Sequence, residues 1–425
     1  MVKLEEHKHT TEHKPIESLP LPKRVNLALS QHIGKPCVAK VLVGDEVSVG
    51  QRIAQAEANV YAPIHASIAG KVIAVGEWAH PLAGRFPAIT IEGDGSERAV
   101  TFTKRSKELV AKLTADEIRK IVFEAGIVGM GGASFPTHIK LTPPKPIDTL
   151  IINGAECEPY LTSDNRLMIE KAPEIVQGIE LVQRSTGAKN VVVAIEENKP
   201  EAIKVLQNSI RNTQYSLRIL ESSYPQGGEK QLVKNVLRKE VPQGKLPFDI
   251  GVVIQNVATV YAIYEAVYLG KPLFERVVTV TGDCIERPGN FLIRLGTSVQ
   301  DIYAACGPVK KEPAKIIFGG PMMGVAQYSF DTPIIKSTNG IIFSSESVAP
   351  SVQACECVRC GRCVQYCPVG LEPCLIAQAS EKQMWDIAKS YGCLDCMECG
   401  LCSYTCPQKI NLVQLIKFAK TRLPK

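Results

Sequence analysis

The chain has 425 residues, 45% hydrophobic and 22% charged, with a formal net charge of +6. That length exceeds one ordinary hydrophobic core and calls for roughly three domains, more if some are small. The mild, dispersed positive charge lacks the dense basic stripe of a nucleic-acid binder, and the most apolar window, DIGVVIQNVATVYAIYEAVYLG, is broken as a membrane span by Asp249, Gln255, Asn256 and Glu265.

Residues 1–36 read as an N-terminal extension. Its start, MVKLEEHKHTTEHKPIE, is polar and has no apolar signal region, which points to the cytoplasm. His7, His9 and His13 read as part of a solvated tail, with metal binding the alternative. Residues 37–98 are short alternating strands punctuated by Gly44-Asp45, Gly50 and Gly70. Their halves, CVAKVLVGDEVSVGQRIAQAE and VYAPIHASIAGKVIAV, resemble a barrel-sandwich hybrid of the biotinyl/lipoyl type. That family carries its cofactor on a lysine in the connecting hairpin; the matching turn here, AEANVYAP, has none, so a docking or scaffold role is expected.

Residues 114–272 change period. Thr114 and Glu117 make a Thr-x-x-Glu capping box that opens a short helix ending at Gly126. Strands IDTLIIN, NVVVAIE, YSLRILES and DIGVVIQ then alternate with helices, a pattern that builds a parallel, Rossmann-like sheet. Such sheets bind ligands at the carboxyl ends of their strands, so Asn153, Glu156, Glu158, Gly227, Gly228, Glu229 and Asn256 are expected around one crevice. In GIVGMGGASFPTHIKL, Gly129, Gly131 and Gly132 let backbone N–H groups approach a phosphate, with Lys140 as counter-charge. An ordinary glycine turn and solvated loop carboxylates are the bland alternatives. Cys157, between two glutamates, reads as a buried structural cysteine, a reactive thiol being the alternative. Residues 273–343 resemble a β-grasp (SLBB) module, and 344–354 form a linker.

Residues 355–425 carry the pattern C-x2-C-x2-C-x3-C-P twice. The first run is Cys357, Cys360, Cys363, Cys367 and Pro368; the second is Cys396, Cys399, Cys402, Cys406 and Pro407, displaced by 39 throughout. Fifteen cysteines in a long chain without a signal argue against a disulfide framework. Zinc also takes four thiolates, but a third cysteine at the same spacing followed by Cys-Pro fits [4Fe–4S] clusters, where the fourth cysteine of each run serves the other cluster. One cluster then takes Cys357, Cys360, Cys363 and Cys406, and the second Cys396, Cys399, Cys402 and Cys367. Cys355, Cys374 and Cys393 are near misses, Cys393 alone having the spacing of a competing ligand. The helical stretch between the motifs resembles an α-helical dicluster ferredoxin, and the basic last helix has an apolar face suited to packing on it.

GMGGASFPTHIK, NGAECEPYLTSDNRLM, YPQGGEKQL and QNVAT resemble the flavin- and NADH-binding loops of the 51-kDa-type subunit of respiratory complex I. With LPLPKRVNLALSQHIGKPC, FGGPMMG and the domain order, the chain resembles still more closely the C subunits of the Rnf ion-translocating ferredoxin:NAD oxidoreductases. The resemblance implies noncovalent FMN with the Gly129–Gly132 loop and Lys140 near its phosphate, Asn153 and Asn256 on the flavin, and Glu156 by the nicotinamide. It implies Phe135 stacked on the dinucleotide, and Glu158 and Glu229 at the entrance on sugar hydroxyls. Met130 and Ala155 depart from the complex I pattern, which has arginine and aspartate there.

An NAD(H) site and one-electron clusters in one chain require a flavin between them, and no acid–base catalytic set is expected. The resemblance also implies other Rnf subunits as partners, a ferredoxin-like B subunit and membrane subunits A, D, E and G, with the chain peripheral at the cytoplasmic face of the cell membrane. The alternatives are a soluble reductase of the same architecture, such as a cobalamin reductase or a proline reductase electron carrier, and an electron-conducting adaptor without a working nucleotide site.

Overall fold

The computed structural model describes residues 2–308, 310–351 and 353–423. The barrel-sandwich unit is built from a four-stranded sheet, in the order Arg24–Ala28, Gly84–Gly93, Gly70–His80 and Glu46–Val47, and a three-stranded sheet of Val38–Ala39, Arg52–Gln55 and Ile64–His65. The unit therefore begins upstream of residue 37. Arg24–Ala28 lies along the edge of the long hairpin, with Leu27 opposite Ile89 and both side chains fully buried, so leaving it out would expose both the ladder and the core.

Much of the rest of the N-terminal segment is also bound into the molecule, although His9 and His13 stay exposed to solvent. Ile16–Ser18 pairs in parallel with Asn290–Leu292, and Val2 exchanges both backbone hydrogen bonds with Tyr224. Lys8 is buried and donates to the Glu156 carbonyl at 2.5 Å. The His7 ring stacks on Tyr160, with centroids 4.7 Å apart.

Thr114 caps the helix Ala115–Glu124, its hydroxyl accepting from the Glu117 amide while the Glu117 carboxylate accepts from the Thr114 amide. Beyond it lies a four-stranded parallel sheet in the order Ser216–Leu220, Asn190–Glu196, Thr149–Gly154 and Val252–Asn256. Helices Ala172–Thr186 and Val257–Leu269 bury Ile175, Ile179, Val260 and Ile263 in the core on one face. Leu232 and Val233 of helix Glu229–Leu237 cover Ile151 and Ile254 on the other.

The β-grasp sheet has six strands, ordered Ile16–Ser18, Gly289–Arg294, Glu275–Thr281, Gly340–Ser344, Lys315–Phe318 and Val325–Gln327. Lys336 locks it to the two preceding units. Its ammonium donates to Pro63 O at 2.7 Å and Gly126 O at 2.6 Å, and its own carbonyl accepts from the Arg276 guanidinium. Burial pushes this lysine down to about 7.

In the cysteine-rich unit, helix Pro373–Glu381 packs on Leu412–Arg422, where Ile416 and Ala419 are fully buried, so the apolar face of the last helix is covered by its own unit. Among the described residues no helix is long and apolar enough to cross a membrane.

Candidate functional site

Parallel register sets the centre of the crevice: Asn153 and Asn256 are direct Cα partners at the carboxyl ends of neighbouring strands. Asn256 then caps the next helix, its Oδ1 accepting from Ala258 N at 2.9 Å and Thr259 N at 3.3 Å, while Nδ2 donates to Asp164 Oδ2 at 2.6 Å. Asn153 Nδ2 donates to Gly227 O at 2.9 Å, and its Oδ1 accepts from Ala155 N at 3.1 Å. The loops after three strands are thereby stitched together.

The glycine loop leans over this centre. It is closed by Gly129 N donating to Phe135 O at 2.9 Å and anchored by Met130 N donating to Thr259 Oγ1 at 2.9 Å, with the Met130 side chain buried. A Cβ on Gly131 would lie 2.9 Å from Asn256 Cβ, so only glycine lets the loop settle there. Gly132 has nothing within 4 Å of a Cβ position and is exposed, leaving its backbone open to a ligand. Lys140 reaches across to form an ion pair with Glu229 at the start of its helix, and Phe135 stands half-buried beside the loop.

Three expected crevice residues are used otherwise. Glu156, in the left-handed region at φ 38°, accepts from Asp164 N at 2.7 Å and Asn165 N at 3.1 Å, capping helix Ser163–Glu170 rather than facing a nicotinamide. Glu158 accepts from Met323 N at 2.8 Å, Met322 N at 3.1 Å and Tyr224 OH at 3.3 Å. It is thus bound by the FGGPMMG loop rather than lining an entrance, and burial pushes its carboxyl up to about 7 despite those donors. Gly228 faces the cysteine-rich unit, where a Cβ would collide with Met397 Cε. Gly227 N donates to Cys157 Sγ at 3.3 Å, and burial pushes that thiol up to about 12, as suits a structural cysteine.

Ala155 is fully buried, and its carbonyl accepts from the enclosed Lys199 ammonium at 2.8 Å. Asp164, not singled out in the sequence, is raised by burial and by the Glu156 charge; its position just after an acidic strand-end loop was the available signal. Thr259, Tyr224, Met322 and Met397 carried no local signal, because each acts through a contact distant in sequence.

The doubled cysteine motif folds as a true repeat. Arg359 and Glu398, Gly361 and Gly400, and Gly370 and Lys409 all have positive φ, and each pair is 39 residues apart. Helices Arg362–Gln365 and Leu401–Tyr404 are displaced equally. Cys396, Cys399 and Cys402 line one small cavity together with Cys367 from the other motif. Leu371 N donates to Cys367 Sγ and Glu398 N to Cys396 Sγ, both at 3.3 Å, as suits sulfurs that carry negative charge. Cys406 packs with Cys363, while Cys357 and Cys360 are exposed. The Cys363 thiol also touches Cys374. Cys393 is buried among Ile376, Ala388 and Ile416. Among the described residues no group of three His, Cys, Asp or Glu side chains is arranged to hold a metal ion.

That cavity abuts the parallel-sheet domain and the FGGPMMG loop of the β-grasp unit. Tyr224 OH donates to Cys399 O at 2.8 Å, Gln231 Nε2 to Pro368 O at 2.8 Å, and Gly400 closes on the Met322 carbonyl.

Comparison with known proteins agrees with this architecture. Residues 2–96 match the RnfC barrel sandwich hybrid domain, 122–265 the Nuo51 FMN-binding domain and 277–326 the SLBB domain. The chain is 44% identical to the C subunit of the proton-translocating ferredoxin:NAD(+) oxidoreductase complex of Clostridium ljungdahlii, over 98% of this chain and 92% of that protein. It is 43% identical to the Na(+)-translocating counterpart of Acetobacterium woodii, over 98% and 94%. An NAD+-reducing [NiFe]-hydrogenase structure shares the fold at 16% identity and a TM-score of 0.50, covering 77% of this chain and 68% of the other.

Proposed function

Because the chain belongs to the family of C subunits of ion-translocating ferredoxin:NAD(+) oxidoreductase complexes, we propose that it is the electron-transfer subunit of such a complex, exchanging electrons between NAD(H) and two [4Fe–4S] clusters through noncovalent FMN. Bound in the crevice, a flavin supplies the chemistry of accepting two electrons as a hydride and releasing them singly.

The chain's own residues bind and orient. The open backbone at Gly132, seated by Gly131 on Asn256, suits a phosphate, and Lys140 offers it a cation that Glu229 holds in place. Asn153 and Asn256 fix the floor on which the ring would rest, and Phe135 offers an aromatic face at the rim. Cys396, Cys399, Cys402 and Cys367 would hold the cluster nearer the crevice, and Cys357, Cys360, Cys363 and Cys406 the outer one. The observation that carries the reading is the Cys367/Cys396/Cys399/Cys402 cavity, joined through Tyr224 and Gly228 to the strand ends that carry Asn153 and Asn256.

The partners are a ferredoxin-like B subunit and membrane subunits A, D, E and G, with this chain peripheral at the cytoplasmic face. The test is anaerobic purification from the native membrane with iron and flavin quantitation. Co-purification with membrane subunits, FMN and eight irons per chain, as two cubane clusters require, supports the proposal. A freely soluble flavin–iron protein would favour the soluble reductase, and iron without flavin the adaptor.

A further inference from the structure

The internal repeat supplies a comparison within one molecule: the same surface occurs twice, once covered and once open. In the second motif, Met397 meets Gly228, Cys399 O is bonded by Tyr224, Gly400 closes on Met322, and Leu401 is fully buried. This is the face by which that half of the unit docks on the electron-exchanging domain, through Tyr224 and Gly228, and on the β-grasp loop, through Met322. The corresponding residues of the first motif, each 39 positions earlier, are Val358, Cys360, Gly361 and Arg362, and all four are exposed, Val358 by 59%.

The open copy differs in charge as well as cover. Glu398 is replaced by Arg359 and Leu401 by Arg362; the left-handed backbone is kept at Arg359 (φ 55°) and Glu398 (φ 59°). Among the described residues neither arginine has a carboxylate within ion-pair distance, whereas Glu398 is bonded by Lys420 and faces Lys417. Lys409 is exposed and lies next to the start of the first motif, because Cys355 N donates to Gln408 O at 3.0 Å and ties the end of the second motif to the start of the first. The exposed cations of Arg359, Arg362 and Lys409 thus accompany the exposed Glu356, Val358 and Tyr366 and the exposed thiols of Cys357 and Cys360.

We propose that this face, centred on Val358, Arg359 and Arg362, is the docking surface for an acidic one-electron carrier protein, the external counterpart of the contact that the second motif makes internally. The proposal rests on the electron-transfer reading above for the nature of its partner. Unpaired cations at an interface rim steer an acidic partner and make its binding sensitive to salt, while the apolar centre supplies the contact to be desolvated.

The probe is an acidic two-cluster ferredoxin, titrated onto the full-length, cluster-loaded chain at low and at high ionic strength, with binding read by calorimetry. The Arg359→Glu/Arg362→Glu double variant should weaken binding roughly tenfold or more and lose most of the salt dependence. The backbone tolerates glutamate at the first position, since Glu398 occupies the equivalent conformation. The same charge change on the exposed helix of the parallel-sheet domain, Lys204→Glu/Arg211→Glu, should leave affinity unchanged. Equal weakening by both pairs, or by neither, overturns the proposal. Should the first pair fail to retain iron, the wild-type chain decides: carbodiimide must link ferredoxin carboxylates to Lys409, and crosslinks confined to other lysines would overturn the assignment. Bleaching of the flavin by NADH, followed in the same preparations, separates the two readings, because its absence refutes the electron-transfer function without altering the binding result.

Discussion

Two adjacent glycines carry opposite expectations. Gly131→Ala places a methyl 2.9 Å from Asn256 Cβ and 3.0 Å from its Nδ2, closer than the side chain can accept. Asn256 must move, surrendering its helix cap, which is worth about 1 kcal/mol, and its bond to the buried Asp164, worth about another 1–2 kcal/mol. Reduced unfolded-state entropy returns roughly 0.5 kcal/mol, so the net loss should be near 2 kcal/mol by urea unfolding of the flavin-free chain, with weaker FMN binding besides. Gly132→Ala meets nothing within 4 Å, so its stability should stay within about 0.5 kcal/mol of the parent. If this backbone approaches the FMN phosphate, the added methyl should still weaken FMN binding by about tenfold, or 1.4 kcal/mol, measured by flavin fluorescence quenching. A Gly132→Ala chain that binds FMN as tightly as the parent would refute the placement of the phosphate at this loop.

Cys367→Ser should eliminate the EPR signal of the cluster nearer the crevice, although Cys367 lies in the first motif, and Cys406→Ser should eliminate that of the outer cluster; the reverse outcome would show that each motif serves itself. Glu158 has a folded-state value raised from 4.5 to about 7, so its contribution to stability is fully present below about 4.5 and is lost as pH rises through 7. At 1.36 kcal/mol per unit the loss is about 3 kcal/mol, and Glu158→Gln should flatten the urea-unfolding profile across that window. Lys336 is lowered from 10.5 to about 7, so the unfolded chain binds the extra proton and stability should climb as pH rises between those values. The gain is at most about 5 kcal/mol, and Lys336→Met should abolish it.

Local rules made much of this fold readable. The Thr114–Glu117 box lies within a single helical turn, the parallel sheet announces itself by alternating period, and the cysteine spacing announces the repeat that helices Arg362–Gln365 and Leu401–Tyr404 carry. Asn153 and Asn256 were legible because strand ends in a parallel sheet share one edge. The N-terminal segment was not: Ile16–Ser18 has three residues and pairs across more than half the chain with Asn290–Leu292, a contact that no local pattern encodes. Glu156 and Glu158 misled for a related reason. A carboxylate after a strand looks the same in sequence whether it faces a ligand, caps the following helix, or accepts from the Met322 and Met323 amides. Gly228 looked like a ligand-facing glycine, yet its missing side chain makes room for Met397.

On the proposed function, one chain converts electron pairs from NADH into single electrons on two clusters. The most direct measurement of this conversion is an anaerobic titration of the flavin- and cluster-loaded chain with NADH, followed by visible absorbance and EPR together. The flavin band should bleach and reduced-cluster signals should appear, absent only from whichever cluster the cysteine variants have removed. A chain with full iron and flavin whose spectra do not respond to NADH would contradict the account.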